Sequence, residues 1–229
     1  MSKLKASATL SVKAPELDKA YSIFAYAHQS ASSLVLAFDA AKATRGNPRG
    51  VLTDQEQDIL RAALVMACAG LDAALKQAIR DSLATLLEKQ KKVRDGFEKF
   101  LRRRIEGVSE GDEVPLRGQF LATVLADKDP RAKMIEEYIR QLTGDSLQSW
   151  DELASATGAL GLDAMRLGLD KNKLIEIFQI RNKIIHELDM DLSAKVRRRK
   201  VRGQADLLDN ADLVLRTTGM VLEHLDEQF

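Results

Sequence analysis

The segment "TDQEQDILRAALVMACAGLDAALKQAIRDSLATLL" (residues 53–87) decides the fold of this chain. Thr53 can cap the free backbone amides of a first helical turn, and Glu56, three residues later, completes a capping box. Apolar residues then recur at steps of three and four, which places them on one face of an α-helix. They are Leu60, Leu64, Ala67, Leu71, Leu75, Ile79, Leu83 and Leu86. Because so long an apolar face must be covered by other helices, we expect this segment to form the central helix of a bundle.

Helical patterns also flank the central segment. Apolar residues at the same spacing follow Pro15, and a similar set runs from Leu208 to Leu225 near the end of the chain. Between them, "GVSEGDEVPLRG" (residues 107–118) holds three glycines and a proline, which predicts an irregular connection. No segment alternates strand and helix patterns, so the sequence predicts an all-α protein.

The domain organisation follows from length and charge. The 229 residues suffice for one substantial core, so we expect an N-terminal arm at residues 1–15 and one elongated helical domain at residues 16–229. Within that domain, the chain turns strongly charged after the central helix and then shows shorter helical patterns. We interpret residues 88–169 as an additional helical insert.

Composition limits the classes of function. Lys and Arg total 35 against 34 Asp and Glu, so the formal net charge of +1 creates no global field that attracts nucleic acid. The single cysteine, Cys68, excludes an intrachain disulfide and argues against a thiolate metal site. No stretch approaches the roughly 20 apolar residues that span a bilayer, and the N-terminus lacks an apolar signal core. We therefore expect a cytoplasmic protein that does not enter membranes.

A second stretch, "FQIRNKIIHELDMD" (residues 178–191), carries polar residues inside an apolar helical pattern. On a wheel of about 100° per residue, Arg181 falls in the middle of the apolar face, while Asn182 and His186 lie on its flank. The apolar members of this face are Leu174, Ile177, Phe178, Ile184, Ile185 and Leu188. Burying an unpaired guanidinium costs several kcal/mol, so Arg181 requires a wet cleft, a second chain or a carboxylate.

These residue types suit the cleavage of RNA. A histidine with an ordinary pKa near 6.5 can take or give a proton at neutral pH, and an arginine can hold a phosphate. RNA supplies its own nucleophile, the 2′-hydroxyl, so cleavage would need no metal and would leave a 2′,3′-cyclic phosphate. Ideal geometry separates Arg181 from His186 by about 140° around the helix axis. Two copies of the helix across a dimer axis would bring both groups to one groove.

The motif "RNKIIH" (residues 181–186) resembles the arginine, four to six residues, histidine motif of HEPN-domain ribonucleases. Its surroundings, "EIFQIRNKIIHELD", are similar to the ribonuclease branch of that superfamily, and "LVMACAGLDAALKQAI" resembles the earlier core helix. The resemblance implies catalytic roles for Arg181 and His186, supported by Asn182. It also implies an up-and-down helical core, a homodimer with a composite groove, metal-independent endoribonuclease activity, and a toxin or phage-defence effector with an antitoxin or defence-complex partner protein.

The basic segment "KVRRRKVR" (residues 195–202) follows the motif and could bind the RNA backbone through its phosphates. The segment could equally be a solvated basic stretch without a binding role. The candidate RNA-binding residues are Arg197, Arg198, Arg199 and Lys200. No metal-binding or nucleotide-binding motif occurs, so we expect no cofactor.

Two other classes of protein compete with the enzyme. The first is a non-catalytic helical interaction module whose arginine, asparagine and histidine seal a homodimer interface. The second is a DNA-binding regulator, which only the basic segment supports.

Several side chains near the motif have two interpretations. Asp72 could pair with Arg181, but a surface pair with Lys76, one helical turn on, is favoured. The acids after the motif could orient the imidazole or be ordinary surface acids, and they would repel RNA if they lined the groove. These acids are Glu187, Asp189 and Asp191. We expect His28 to be a satisfied core or interface histidine, and His224 to interact with the C-terminal dipole of its helix.

Overall fold

A computed structural model of the chain describes residues 2–45, 50–106, 114–192 and 198–229. Within these ranges the chain forms eight α-helices and no β-strand, which confirms the all-α prediction. A 3-10 turn at Pro15–Leu17 precedes the first helix. The helices are α1 (Asp18–Thr44), α2 (Asp54–Lys89), α3 (Lys91–Glu106), α4 (Val114–Leu125), α5 (Pro130–Gly144), α6 (Trp150–Ala159), α7 (Lys171–Glu187) and α8 (Gln204–Asp226).

Helix α2 is the central helix, as its sequence predicts. The Thr53 hydroxyl accepts from the Glu56 amide at 3.2 Å, and the Glu56 carboxylate accepts from the Thr53 amide at 2.8 Å, so the capping box is confirmed. Its apolar stripe is buried from Leu60 to Leu86. Helices α1 and α8 cover α2, and α7 packs on it as well. Burial of this stripe therefore organises the bundle.

Helices α1 and α2 approach each other closely where Gly70 meets Ala27. A Cβ atom added at Gly70 would lie 2.2 Å from the Ala27 Cβ, well inside van der Waals contact. Interiors are packed too densely to absorb such an overlap. The absence of a side chain at Gly70 therefore sets the distance between these two helices.

The N-terminal arm lies along α1 and α8 and is held by carboxylates of α8. The Ala6 amide donates to Asp212 Oδ1 at 2.6 Å, and the Ala14 amide donates to Asp226 Oδ1 at 2.6 Å. The His28 Nε2 atom lies 2.9 Å from the Ala6 carbonyl oxygen. His28 is thus a satisfied histidine that fastens the arm, as the sequence analysis expects.

Helices α3 to α6 lie within the predicted insert. The apolar edge of α3 packs on α5, where the rings of Phe100 and Tyr138 stack with centroids 4.8 Å apart. The prediction of an irregular connection at residues 107–118 is wrong in its second half, because α4 begins at Val114. Pro115 is compatible with this helix since the first turn needs no amide donor from it. Residues 107–113 lie outside the described part.

Candidate functional site

Helix α7 carries the motif and is positioned by its first half. The Asp170 side chain accepts from the Lys173 amide at 3.0 Å, which confirms the predicted N-cap. Leu174, Ile177 and Phe178 are buried. The remaining apolar face does not continue into the core, because Ile184 is only half-buried and the apolar residues after it are exposed. The motif therefore lies where α7 leaves the core.

Arg181 lies at the edge of this core and is half-buried. Its Nη1 donates to the Asn182 side-chain oxygen at 3.0 Å. The buried Nε atom has no hydrogen-bond partner within the described ranges. Burial raises the pKa of the nearby Cys68 thiol to about 12, an effect that the positive charge of Arg181 opposes. Arg181 therefore packs toward α2, with its guanidinium held by Asn182.

His186 and Asn182 are exposed on α7. The separation of about 140° between positions 181 and 186 puts the imidazole on a different side of the helix from the arginine. Across residues 2–45, 50–106, 114–192 and 198–229, no hydrogen bond joins Arg181 or Asn182 to His186. One copy of the chain thus keeps a free imidazole and a bonded guanidinium apart.

The acids near the motif have different roles. Asp72 pairs with Lys76 at 3.1 Å and accepts from the Leu147 amide at 2.7 Å, which confirms that it does not pair with Arg181. Asp189 is fully buried and so lines no surface groove. Glu187 is exposed beside the imidazole. Only part of the predicted acidic cluster is therefore on the surface.

Asp189 is the centre of a buried ionic cluster that the sequence analysis missed. Its carboxylate accepts from Arg61 Nε at 3.0 Å and, through both oxygens, from Arg202 at 2.6 Å. Arg61 is only 2% exposed and also donates to the Lys200 carbonyl at 2.6 Å. Burial opposes ionisation of Asp189, but the hydrogen bonds and charges of Arg202 and Arg61 outweigh it and hold the pKa of this carboxyl below its ordinary value.

The cluster fixes the end of the motif helix. Leu188 and Asp189 have φ angles of 51° and 58°, in the left-handed region that residues other than glycine, asparagine and aspartate rarely adopt. The Lys200 amide donates to the Asp189 carbonyl at 2.8 Å. These contacts fasten the loop after α7 to the start of α2. The sequence holds one signal that could have revealed this cluster. Arg61 precedes Leu64 by three positions and Cys68 by seven, which places an arginine on the buried face of α2.

The structure describes three of the four candidate RNA-binding residues. Arg197 lies outside the described ranges, while Arg198 and Lys200 are exposed. Arg199 is half-buried, and its Nη1 donates to Asp58 Oδ2 at 2.7 Å. That hydrogen bond raises the pKa of Arg199 above its ordinary value. RNA binding by the segment stays a prediction, and Arg199 would have to leave Asp58 to take part.

Exposed apolar side chains surround the end of the motif. Ile185 is 41% exposed, Leu188 63% and Leu192 57%. These three large apolar residues lie within eight positions, near the end of α7 and just beyond it. Contact with another protein surface would remove them from water.

Comparison of the chain with protein-family models, with curated proteins and with solved structures gave no match. The described helices include none that combines the length and apolar character needed to cross a bilayer. Among the described residues, no group of three or more His, Cys, Asp and Glu side chains is arranged to hold a metal ion. Function is therefore argued from the side chains of α7 and their surroundings.

Proposed function

We propose that the chain is a metal-independent endoribonuclease whose active site forms between the α7 helices of two copies. The observation that carries this proposal is that one helix holds both an exposed His186 and a half-buried Arg181. The Nη1 of Arg181 donates to the Asn182 side-chain oxygen at 3.0 Å, which orients the guanidinium. Within the described ranges Arg181 bonds the neutral Asn182 amide and pairs with no carboxylate, so its positive charge is available to a phosphate.

The reaction assigns one role to each side chain. His186 of one copy removes the proton of the 2′-hydroxyl, whose oxygen attacks the adjacent phosphorus. The bond from phosphorus to the 5′-oxygen breaks, and that oxygen takes a proton from the histidine of the other copy. Arg181 stabilises the negative charge on the phosphoryl oxygens, and Asn182 positions Arg181. The products are a 2′,3′-cyclic phosphate and a 5′-hydroxyl.

Two features of the chain support a site shared between copies. The angle of about 140° between Arg181 and His186 prevents one straight helix from directing both to one phosphate. Ile185 is exposed near the end of α7 and Leu188 directly after it, and a second copy would cover both. Burial of Asp189 between two arginines also removes one carboxylate from the groove that RNA would enter.

The test is incubation of purified protein with RNA in the presence of a chelator. Wild type should release fragments with 2′,3′-cyclic phosphate ends, and His186→Ala and Arg181→Ala should each slow cleavage by about 100-fold or more. Matched controls are His224→Ala, on α8, and Lys183→Ala, an exposed cation of α7. Cleavage by His186→Ala at the wild-type rate would refute the proposal.

A role as effector in a toxin–antitoxin or phage-defence system extends this proposal. Expression of wild type should then arrest growth, whereas folded, dimeric His186→Ala should not. Equal toxicity of wild type, His186→Ala and Arg181→Ala would contradict it.

The exposed apolar residues also support a second candidate, a helical interaction module without catalysis. Ile185→Lys should then convert a dimer to a monomer, because a charge would enter the apolar contact. Light scattering measures this change. A wild type that is dimeric through Ile185 but leaves RNA intact would favour the module over the enzyme.

A further inference from the structure

A polar cleft of about 240 Å³ lies between the first half of α7 and the start of α8. Its polar lining consists of side chains from α7, from the segment before α8 and from α8 itself. These residues are Lys173, Glu176, Arg202, Asp206 and Asn210. Ile180, the neighbour of Arg181 in sequence, contributes an apolar wall. The cleft is thus built partly by the helix that carries the proposed catalytic residues.

Asn210 is the unusual residue of this cleft. It is only 2% exposed, and its side-chain oxygen is buried without a hydrogen-bond partner among the described residues. Since buried amide oxygens are almost always bonded, an unbonded one that lines a cleft indicates a group for a ligand. The amide carries one acceptor oxygen and two donor hydrogens, so it can bond both a donor and an acceptor of the same ligand.

We propose that this cleft binds one unstacked nucleobase that bears an exocyclic amino group, as part of the RNA that the proposed ribonuclease cleaves. An asparagine amide presents a donor and an acceptor side by side, which matches the edge of a base. The carboxylates of Glu176 and Asp206 line the same cleft and would accept the remaining amino hydrogen. Adenine, cytosine and guanine carry such a group, whereas uracil does not.

The cations of the cleft suit the rest of a nucleotide. Arg202 is held by Asp189 through Nε and Nη2, which leaves Nη1 to donate to a phosphate. Lys173 pairs with Glu176 at 2.9 Å, but this pair is exposed and therefore weak enough to open. Ile180 lines the cleft and directly precedes Arg181, so the cleft and the proposed catalytic arginine belong to the same stretch of α7.

Direct binding of mononucleotides tests the cleft without requiring cleavage. Two ligand pairs isolate one edge of the base. UMP has an oxygen in place of the amino group of CMP, and IMP has an oxygen in place of that of AMP; in both, the adjacent ring nitrogen also changes from an acceptor to a donor. Titration of the wild-type chain, followed by ligand-observed NMR, should show CMP and AMP binding about tenfold tighter than their partners. Equal binding within each pair, or no binding of any of the four, would overturn the inference.

A substitution locates the binding. Asn210→Leu keeps the side-chain volume and removes the amide, so binding of CMP should weaken about tenfold while the protein stays folded. Asn172→Leu, an exposed asparagine of α7 that does not line the cleft, is the matched control. Unchanged CMP binding by folded Asn210→Leu would place the ligand elsewhere and overturn the assignment.

The inference rests on the proposed function, and the outcomes separate the two. Loss of amino selectivity in RNA cleavage by Asn210→Leu, with cleavage retained, supports both. Cleavage without nucleotide binding in the cleft refutes the base site and leaves the nuclease standing. Selective CMP binding without any RNA cleavage refutes the nuclease and overturns the role in RNA, leaving a nucleotide-binding site.

Discussion

Replacing Asp189 by asparagine removes the one negative charge that Arg61 and Arg202 share in the interior. Asp189 has no exposed surface, and Arg61 is 2% exposed. Solvent therefore cannot compensate the positive charge of Arg61, whereas Arg202 reaches the cleft beside α8. The change tests whether this cluster, rather than apolar packing alone, holds the end of α7 against α2.

The magnitude follows from the contacts. Breaking a buried ion pair by removing one partner costs about 3–5 kcal/mol, because an uncompensated charge is left behind. Arg61 keeps its hydrogen bonds to Asp58 at 3.1 Å and to the Lys200 carbonyl at 2.6 Å. We therefore take the lower end of this range of energies. We expect Asp189→Asn to lower the free energy of unfolding by about 3 kcal/mol.

Urea unfolding followed by circular dichroism measures this loss. With an m-value of about 3 kcal/mol per molar, the midpoint should fall by about 1 M. Glu187→Gln, an exposed carboxylate two positions earlier, is the control and should stay within about 0.5 kcal/mol of wild type. If Asp189→Asn unfolds as Glu187→Gln does, the cluster does not stabilise the fold and the reasoning fails.

The same cluster predicts sensitivity to acid. Burial opposes ionisation of Asp189, yet Arg202 and Arg61 hold its pKa below the ordinary value of about 3.9. Its contribution to stability is therefore complete above about pH 4 and is lost as the pH falls through the lowered pKa of the folded state. The wild type should lose more unfolding free energy than Asp189→Asn between about pH 5 and pH 3. Parallel pH curves for both proteins would contradict this.

Three further predictions follow from packing and local structure. Gly70→Ala should destabilise by about 1–3 kcal/mol in thermal unfolding, although alanine favours helices, because the new Cβ would overlap Ala27; unchanged or raised stability would show that the helices move apart freely. Thr53→Ala should cost about 1 kcal/mol through loss of the cap, and an unchanged urea midpoint would contradict it. Cys68 should resist alkylation at pH 8 until the chain is unfolded, since burial raises its pKa to about 12; rapid labelling of the native protein would disprove that burial.

The motif helix shows how far sequence can place a site. The spacing of Leu174, Ile177 and Phe178 put Arg181 on the inward face of a helix, and the structure has it half-buried there. The continuation of that face was predicted less well. Ile185 and Leu188 share its periodicity but are exposed, because no helix of the described ranges covers them. Periodicity gives a face, and only the neighbouring helices decide how much of it is covered.

What the sequence by itself determined is therefore local: the helices, the capping box at Thr53, the cap at Asp170, and the presence of Arg181, Asn182 and His186 on one helix. Hydrogen bonds and apolar repeats within a few residues set these features. Only the tertiary structure brought Arg61 to Asp189 across 128 positions of the chain. It likewise placed Asn210 beside α7, because contacts between distant segments depend on how the helices pack and leave no periodic signal in the sequence.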